Sequence, residues 1–206
     1  MNSAIWNVNL DVTSACDRAC PDCCCNILNR PAVHHDWAYF ERAAKALYGI
    51  KSVALVGGES TIHPQFADFI PRFKALFGCE QIILVTNGWG VVRYRDVIAR
   101  HVDRIQFSDY HTEISIAAWA AIQAMPITDV SVFDAGPHQE NFTPRSRRGG
   151  GNPCERAWWH GTIAYADGKI YGCCVAPGIE GAIGIEPEGW DGEPSAPPCE
   201  ECFFSV

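Results

Sequence analysis

The feature that most constrains this chain is a group of three cysteines, Cys16, Cys20 and Cys23, in the spacing CX3CX2C. Three thiols this close along the chain cannot all pair with one another as disulfides. A tetrahedral zinc ion would need a fourth ligand nearby, whereas a [4Fe-4S] cluster can bind three cysteines and leave one iron open. The spacing favours such a cluster, and a zinc site or a set of buried thiols are the alternatives.

The composition of the 206-residue chain is that of a globular protein, with 48% hydrophobic and 19% charged residues. The net charge of −8 argues against broad, sequence-independent nucleic acid binding, which needs a basic face. No secretory signal is visible, and no apolar run approaches the roughly 20 residues that a membrane span needs. We therefore expect a cytoplasmic protein without a membrane contact, in which clustered cysteines bind metal.

Strand-like and helix-like segments alternate along the first 137 residues. The predicted strands are 5–12, 52–56, 81–85, 104–107 and 129–133, and the predicted helices are 36–48, 64–77, 91–100 and 113–125. Strands separated by helix-length segments favour right-handed crossovers and a parallel sheet. The sequence therefore predicts an α/β fold.

Polar and glycine-rich segments follow the first four predicted strands. They are the cysteine loop, 57–60 (Gly-Gly-Glu-Ser), 86–88 (Thr-Asn-Gly) and 108–111 (Ser-Asp-Tyr-His). In parallel α/β folds the site lies at the C-terminal ends of the strands. We therefore expect these four segments to converge at one edge of the sheet.

Beyond residue 137 the alternation ends. Residues 138–152 are polar and glycine-rich, which is typical of a linker loop. Two strand-like segments, 158–166 and 169–174, follow, and the Asp-Gly pair between them is a strong hairpin signal. The sequence thus predicts a core over 1–137, a linker over 138–152 and a cysteine-rich hairpin region over 153–206.

The three cysteines, together with Gly57, Gly58 and Glu59, resemble the signature of the radical S-adenosylmethionine (radical SAM) superfamily. In that family the cysteines bind a [4Fe-4S] cluster, S-adenosylmethionine (SAM) coordinates the open iron, and the Gly-Gly-Glu segment binds the amino group of SAM. The resemblance implies a shortened partial (β/α) barrel of about five to six parallel strands, with a small cysteine-rich hairpin extension at the C-terminus.

The resemblance also implies that Asn87, Ser108 and Asp109 contact SAM, since they follow the third and fourth strands. One position departs from the family's pattern. The residue before the third cysteine is usually aromatic and packs near the adenine, whereas this chain has Asp22 there. The sequence therefore leaves open which residue packs on the adenine.

A second group of cysteines, Cys154, Cys173, Cys199 and Cys202, resembles the twitch or SPASM-like extension of radical SAM enzymes. The shared pattern is a cysteine, then Gly168 followed five positions later by another cysteine, and then further cysteines. The resemblance implies that these four residues bind an auxiliary [4Fe-4S] cluster. A structural zinc site is the alternative, because zinc takes the same number of cysteine ligands.

Four residues are candidates for contact with a substrate. Arg145, Arg147 and Arg148 form a concentrated basic group that suits a phosphate or a carboxylate, with a solvated loop as the alternative. His111 follows the fourth strand, where a histidine can bind substrate or transfer a proton. No residue is assigned a catalytic role from the sequence.

The resemblance implies an enzyme that reductively cleaves SAM to methionine and a 5′-deoxyadenosyl radical, which abstracts a hydrogen from a small-molecule or nucleotide substrate. The outcome would be oxidation or rearrangement, with flavodoxin or ferredoxin as the electron donor. Three alternatives remain open: an isomerase of an amino-acid-modified thymidine in phage DNA, with nucleic acid only as the modified substrate; a peptide-modifying or glycyl-radical activating enzyme; and a non-enzymatic zinc-binding module.

Overall fold

The structure is a computed structural model, and it describes residues 7–20, 23, 25, 27, 30–136, 162–172, 184, 186 and 187. The four cysteines of the second group and the three arginines of the linker lie outside the described residues, as does Asp22. What the sequence predicts for them stays a prediction.

The described residues form seven strands and four helices. The strands are β1 (Asn7–Thr13), β2 (Ser52–Gly57), β3 (Gln81–Thr86), β4 (Arg104–Asp109), β5 (Asp129–Asp134), β6 (Thr162–Ala166) and β7 (Lys169–Tyr171). The helices are α1 (Trp37–Leu47), α2 (Phe66–Phe77), α3 (Arg95–His101) and α4 (Glu113–Gln123), and Ser60–Ile62 forms a 3₁₀ turn. The five strands and four helices predicted before residue 137 are all confirmed.

The strands form one open sheet in the order β5-β4-β3-β2-β1-β6-β7. Every neighbouring pair from β5 to β6 is parallel, and β7 is antiparallel to β6. The sheet therefore has six parallel strands, which confirms the predicted α/β fold. Because the strands are parallel, the segments that follow β1 to β4 all leave the sheet at the same edge.

The predicted C-terminal hairpin is present, and it is part of the main sheet. β6 pairs in parallel with β1, from Asn7 opposite Thr162 to Leu10 opposite Tyr165. Asp167 and Gly168 have φ angles of 52° and 81°, as a two-residue type I′ turn requires. The hairpin turn therefore lies at the same edge of the sheet as the cysteine loop. The predicted boundaries at 137 and 152 fall outside the described residues.

The helices begin and end where local chemistry favours it. The Asp36 side chain accepts a hydrogen bond from the Tyr39 N–H at 2.9 Å and caps α1. Gly78 adopts a left-handed conformation and ends α2, which runs unbroken through Pro71. None of the described helices is both long and apolar enough to cross a membrane.

Aromatic side chains of α1 and α2 fill the core against one face of the sheet. Phe40, Phe69 and Phe73 are each at most 3% exposed, and the rings of Phe69 and Phe73 stack at 4.7 Å. Burial of such rings is the largest stabilising contribution that a fold of this size has. This packing fixes the strand ends on which the site is built.

Candidate active site

The cysteine loop leaves β1 through a β-bulge. The pairing with β2 passes from Asp11 opposite Val56 to Thr13 opposite Gly57, so one residue of β1 has no partner. The chain that leaves the loop then runs beside the chain that enters it, because the Thr13 hydroxyl donates to the Val33 carbonyl at 2.8 Å. The loop is therefore closed at its base.

Cys16, Cys20 and Cys23 are partly buried. Burial raises the pKa of the Cys16 thiol to about 12, so a metal must displace its proton on binding. Three thiols on one loop can bind a zinc ion with one further ligand, or three irons of a cluster.

Gly58 packs directly against the entry to the cysteine loop. Its N–H donates to the Thr13 carbonyl at 2.6 Å, and the Glu59 N–H donates to the Ala15 carbonyl at 2.9 Å. A Cβ on Gly58 would overlap the Ala15 carbonyl oxygen and lie 3.1 Å from the Cβ of Cys16. Glycine at this position therefore lets the end of β2 contact the loop.

Glu59 has only 1% of its surface exposed, and the protein surrounds its carboxylate with donors. Oε1 accepts bonds from the Thr61 N–H, the Thr61 hydroxyl and the Thr86 hydroxyl at 3.1, 2.6 and 2.9 Å. Oε2 accepts from the Asn87 N–H at 2.7 Å. Burial raises the pKa of this carboxyl, and the four donors oppose the rise because they favour the ionised form. Four bonds fill a carboxylate's usual acceptor positions.

Asn87 connects the Glu59 carboxylate to the cysteines. Its side-chain Nδ2 donates to Asp17 Oδ1 at 2.7 Å and lies 3.9 Å from the Cys16 sulfur. Its Oδ1 accepts from the Trp89 N–H at 3.0 Å, which fixes the orientation of the amide. The cysteine loop and the segments 57–60 and 86–88 are therefore in direct contact.

The fourth segment, 108–111, reaches the cysteine loop through Tyr110. The Tyr110 hydroxyl lies 3.2 Å from the Cys20 sulfur, and the Arg18 guanidinium lies 4.7 Å from the centre of the ring. Burial raises the pKa of this hydroxyl well above its ordinary value, and the nearby thiols of the three cysteines raise it further. All four predicted segments thus converge at one edge of the sheet.

The other candidates at the end of β4 lie nearer to solvent. His111 Nε2 lies 2.8 Å from Asp134 Oδ1, and this bond lowers the pKa of the Asp134 carboxyl. His111 has a φ of 57°, held by its N–H bond to Asp109 Oδ1 at 2.8 Å, and such a conformation is uncommon outside glycine. Ser108 is half-buried and pairs with Phe133 of β5.

An ion-pair network joins the hairpin turn to the base of the cysteine loop. The Arg30 guanidinium contacts Asp11 and also Asp167, the latter at 2.9 Å. Asp11 is 2% exposed, and its Oδ1 lies against Gly57 without a hydrogen bond. Burial raises the pKa of Asp11 to about 6, and the charge of Arg30 opposes that rise. This network fixes the hairpin turn relative to the loop.

The ion-pair network of Asp11, Arg30 and Asp167 lies at a candidate cation site. Asp11, His35 and Asp167 have ligand atoms within 4.8 Å of one another. However, the Arg30 guanidinium already supplies positive charge between the two carboxylates. The network therefore has its cation in the chain itself, and burial lowers the pKa of His35 to about 4, which keeps that ring neutral at pH 7.

The sequence alone does not identify Asp11, Arg30 or Tyr110 as site residues. Asp11 occupies the polar phase of an alternating strand, which predicts exposure, but β2 and β6 flank β1 and bury it. Tyr110 belongs to a polar segment that the sequence predicts at the site, so its aromatic ring was an available signal. Arg30 gives no signal before the fold brings Asp167 beside it.

No family model matches this chain. The chain is 31% identical over 111 residues to the GTP 3′,8-cyclase of Heliobacterium modesticaldum. This match covers 50% of the chain and 34% of that enzyme, so the chain matches about a third of the length of this curated relative.

The fold is similar to that of BtrN in complex with AdoMet and 2-DOIA, with a TM-score of 0.61, 12% identity, and coverage of 85% of this chain and 75% of BtrN. It is also similar to Streptococcus suis SuiB bound to S-adenosylmethionine, with a TM-score of 0.50, 11% identity, and coverage of 92% and 64%. At these identities the likeness shows the fold alone. Together with the sequence match, it supports the resemblance to the radical SAM superfamily, and GTP 3′,8-cyclase is by its name an enzyme.

Replacing Gly58 with Ala should disrupt the cysteine loop, because the new Cβ would overlap the Ala15 backbone. We expect a several-fold loss of iron after anaerobic reconstitution and a stability cost of about 1 to 3 kcal/mol. Glu80→Ala is the control, since Glu80 is exposed and lies outside the cysteine loop. Wild-type iron content in Gly58→Ala would show that this contact does not hold the loop.

Replacing Glu59 with Gln should lower the free energy of unfolding of the metal-free protein by about 2 to 4 kcal/mol. The substitution puts an amide nitrogen where one carboxylate oxygen stood. The buried donors of Thr61, Thr86 or Asn87 that face this nitrogen would lose their acceptor. Urea denaturation measures the loss, with the exposed Glu80→Gln as the control. Unchanged stability combined with weaker SAM binding would instead indicate that Glu59 contacts SAM directly.

Replacing Asp11 with Asn should remove a pH dependence of stability between pH 5 and pH 7. The folded pKa of about 6 lies above the ordinary value of 3.8, so the stabilisation is complete below pH 4 and is lost as the pH rises through 6. Wild-type stability relative to Asp11→Asn should therefore fall by roughly 1 kcal/mol from pH 5 to pH 7 in urea denaturation. A relative stability that rises with pH would mean that the charge of Arg30, rather than burial, determines the pKa of Asp11.

Proposed function

We propose that this chain is a radical SAM enzyme that oxidises or rearranges a small-molecule or nucleotide substrate. The observation that carries the proposal is the direct contact of a closed three-cysteine loop with the Gly-Gly-Glu segment and Asn87. In the radical SAM family these segments surround the cluster and the cofactor. A chance assembly of polar loops would not bring this set of segments together in the family's order.

The donor set fits a [4Fe-4S] cluster. The three thiols are soft ligands on one closed loop, and three cysteines leave one iron of a cluster open, whereas a structural zinc site takes four ligands. Cys16, Cys20 and Cys23 would bind three irons and leave the fourth to SAM. When bound, the cluster would supply the electron that cleaves SAM to methionine and a 5′-deoxyadenosyl radical, which takes a hydrogen from the substrate.

The protein's own contribution is to position the loop and the cofactor. The N–H groups of Gly58 and Glu59 hold the entry to the loop, and the Asn87 amide holds Asp17 beside Cys16. The Glu59 carboxylate is fully engaged with protein donors. We therefore assign it the role of positioning the Gly-Gly-Glu and Thr-Asn-Gly segments, with backbone atoms of the first segment left to face the amino group of SAM.

His111 is the strongest candidate in the described part of the chain for accepting a proton from the substrate. Its ring is half-exposed at the same edge of the sheet, and the Asp134 carboxylate orients the ring at 2.8 Å. When hydrogen abstraction leads to oxidation of an alcohol, the substrate radical must then lose one proton and one electron. In our proposal His111 takes the proton. Cys154, Cys173, Cys199 and Cys202 would hold an auxiliary cluster that could accept the electron.

The relatives support a small-molecule or nucleotide substrate. The name of GTP 3′,8-cyclase gives a nucleotide, and BtrN is described in complex with the small molecule 2-DOIA. Arg145, Arg147 and Arg148 would then bind a phosphate or carboxylate of the substrate. Flavodoxin or ferredoxin would supply the electron.

The test is anaerobic incubation of the reconstituted protein with SAM and dithionite, with 5′-deoxyadenosine measured by mass. We expect iron, sulfide and this product in the wild type, and loss of the product by at least tenfold when Cys16, Cys20 or Cys23 is replaced by Ala. Replacing Cys199 or Cys202 should leave SAM cleavage intact, because those residues would hold the other cluster.

Cys79→Ala is the matched control for a cysteine outside both groups. Its thiol is 9% exposed within the core, so the change should leave iron binding by the loop intact. Zinc without iron or sulfide in the wild-type protein would contradict the proposal and favour a zinc-binding module. Intact clusters without 5′-deoxyadenosine, with candidate substrates added, would also contradict it.

A further inference from the structure

Several contacts hold Tyr110 of the segment 108–111 against the cysteine loop. Its hydroxyl oxygen lies 3.2 Å from the sulfur of Cys20, and its ring lies under the guanidinium of Arg18 at 4.7 Å. Its backbone N–H donates to the Ser115 hydroxyl at 3.2 Å. Arg18 in turn donates to the hydroxyl of Thr112, the N-cap of α4, at 3.2 Å. The position of the Tyr110 hydroxyl is therefore fixed by the first turn of α4.

The state of the Cys20 sulfur decides which group donates in this contact. A cysteine that binds iron is a thiolate and has no proton to donate. The neutral phenol of Tyr110 keeps its proton. In the protein with its cluster, Tyr110 is therefore the donor and Cys20 Sγ the acceptor.

We infer that the hydrogen bond from Tyr110 to Cys20 raises the reduction potential of the cluster. The inference rests on the proposed function, because it requires an iron-sulfur cluster at the three cysteines. Reduction adds one negative charge that is shared by the irons and their sulfur ligands. A donor directed at a ligand sulfur stabilises the reduced form more than the oxidised form.

The consequence concerns the step that starts the reaction. The cluster must accept one electron from an external donor before SAM is cleaved, and a higher potential makes that transfer more favourable. Tyr110 is thus a positioning residue that acts through the cluster.

Tyr110→Phe tests the inference, because it keeps the ring under Arg18 and removes only the hydroxyl. The anaerobically reconstituted protein is titrated with dithionite at measured potentials, and the EPR signal of the reduced cluster is recorded. At the wild-type midpoint we expect the ratio of reduced to oxidised cluster to fall about tenfold, which is about 59 mV for a one-electron couple. Iron and sulfide contents should equal those of the wild type.

Tyr94→Phe is the matched control, because the Tyr94 ring packs on Phe66 in the core at 5.1 Å. Its midpoint should equal that of the wild type. A second probe, 3-fluorotyrosine at position 110, keeps the ring and makes the hydroxyl a stronger donor, so the midpoint should rise. This probe gives the answer if Tyr110→Phe fails to fold or to bind iron.

Failure of the proposed function and failure of this inference would give different results. Wild-type protein that binds no iron and sulfide would overturn the proposed function and the inference together. Fully loaded clusters with equal midpoints in the wild type and both position-110 variants would overturn the inference alone. A midpoint that rises in Tyr110→Phe would also overturn it, because removal of a donor cannot stabilise the reduced form.

Discussion

The site depends on the buried carboxylate of Glu59. A charge in the interior is costly unless donors surround it, and four donors from the 3₁₀ turn and the end of β3 do so here. Because these donors belong to separate segments, the carboxylate holds the ends of β2 and β3 in register. Asn87 then extends the connection to Asp17 and Cys16. The Glu59 carboxylate thus positions the cysteine loop through Asn87.

Much of this arrangement could be predicted from the sequence, because local patterns encode it. The alternation of strands and helices gave the parallel sheet, and the edge rule for parallel strands placed the cysteine loop beside the segments 57–60 and 86–88. The pairing of β6 with β1 could not be predicted, since it joins residues far apart in the chain without a crossover helix pattern. Asp11 was missed for the same reason: its burial depends on the strand that lies on its second side.

The structure also shows why glycine and glutamate are needed beyond any contact with a cofactor. Gly58 lets two backbone segments touch, and Glu59 holds a third segment beside them. The Arg30 network adds the hairpin turn to the same assembly through Asp11 and Asp167. These contacts agree with a protein whose cofactors supply the difficult chemistry and whose chain supplies position.

The central claim is that three cysteines of one loop bind a cluster whose fourth iron is open to SAM. Electron-nuclear double resonance on the reduced protein, with SAM labelled by ¹⁵N at its amino group and ¹⁷O at its carboxylate, tests this most directly. The account predicts hyperfine coupling of both labels to the cluster. A cluster signal that shows no coupling to either label, under conditions in which SAM is bound, would contradict it.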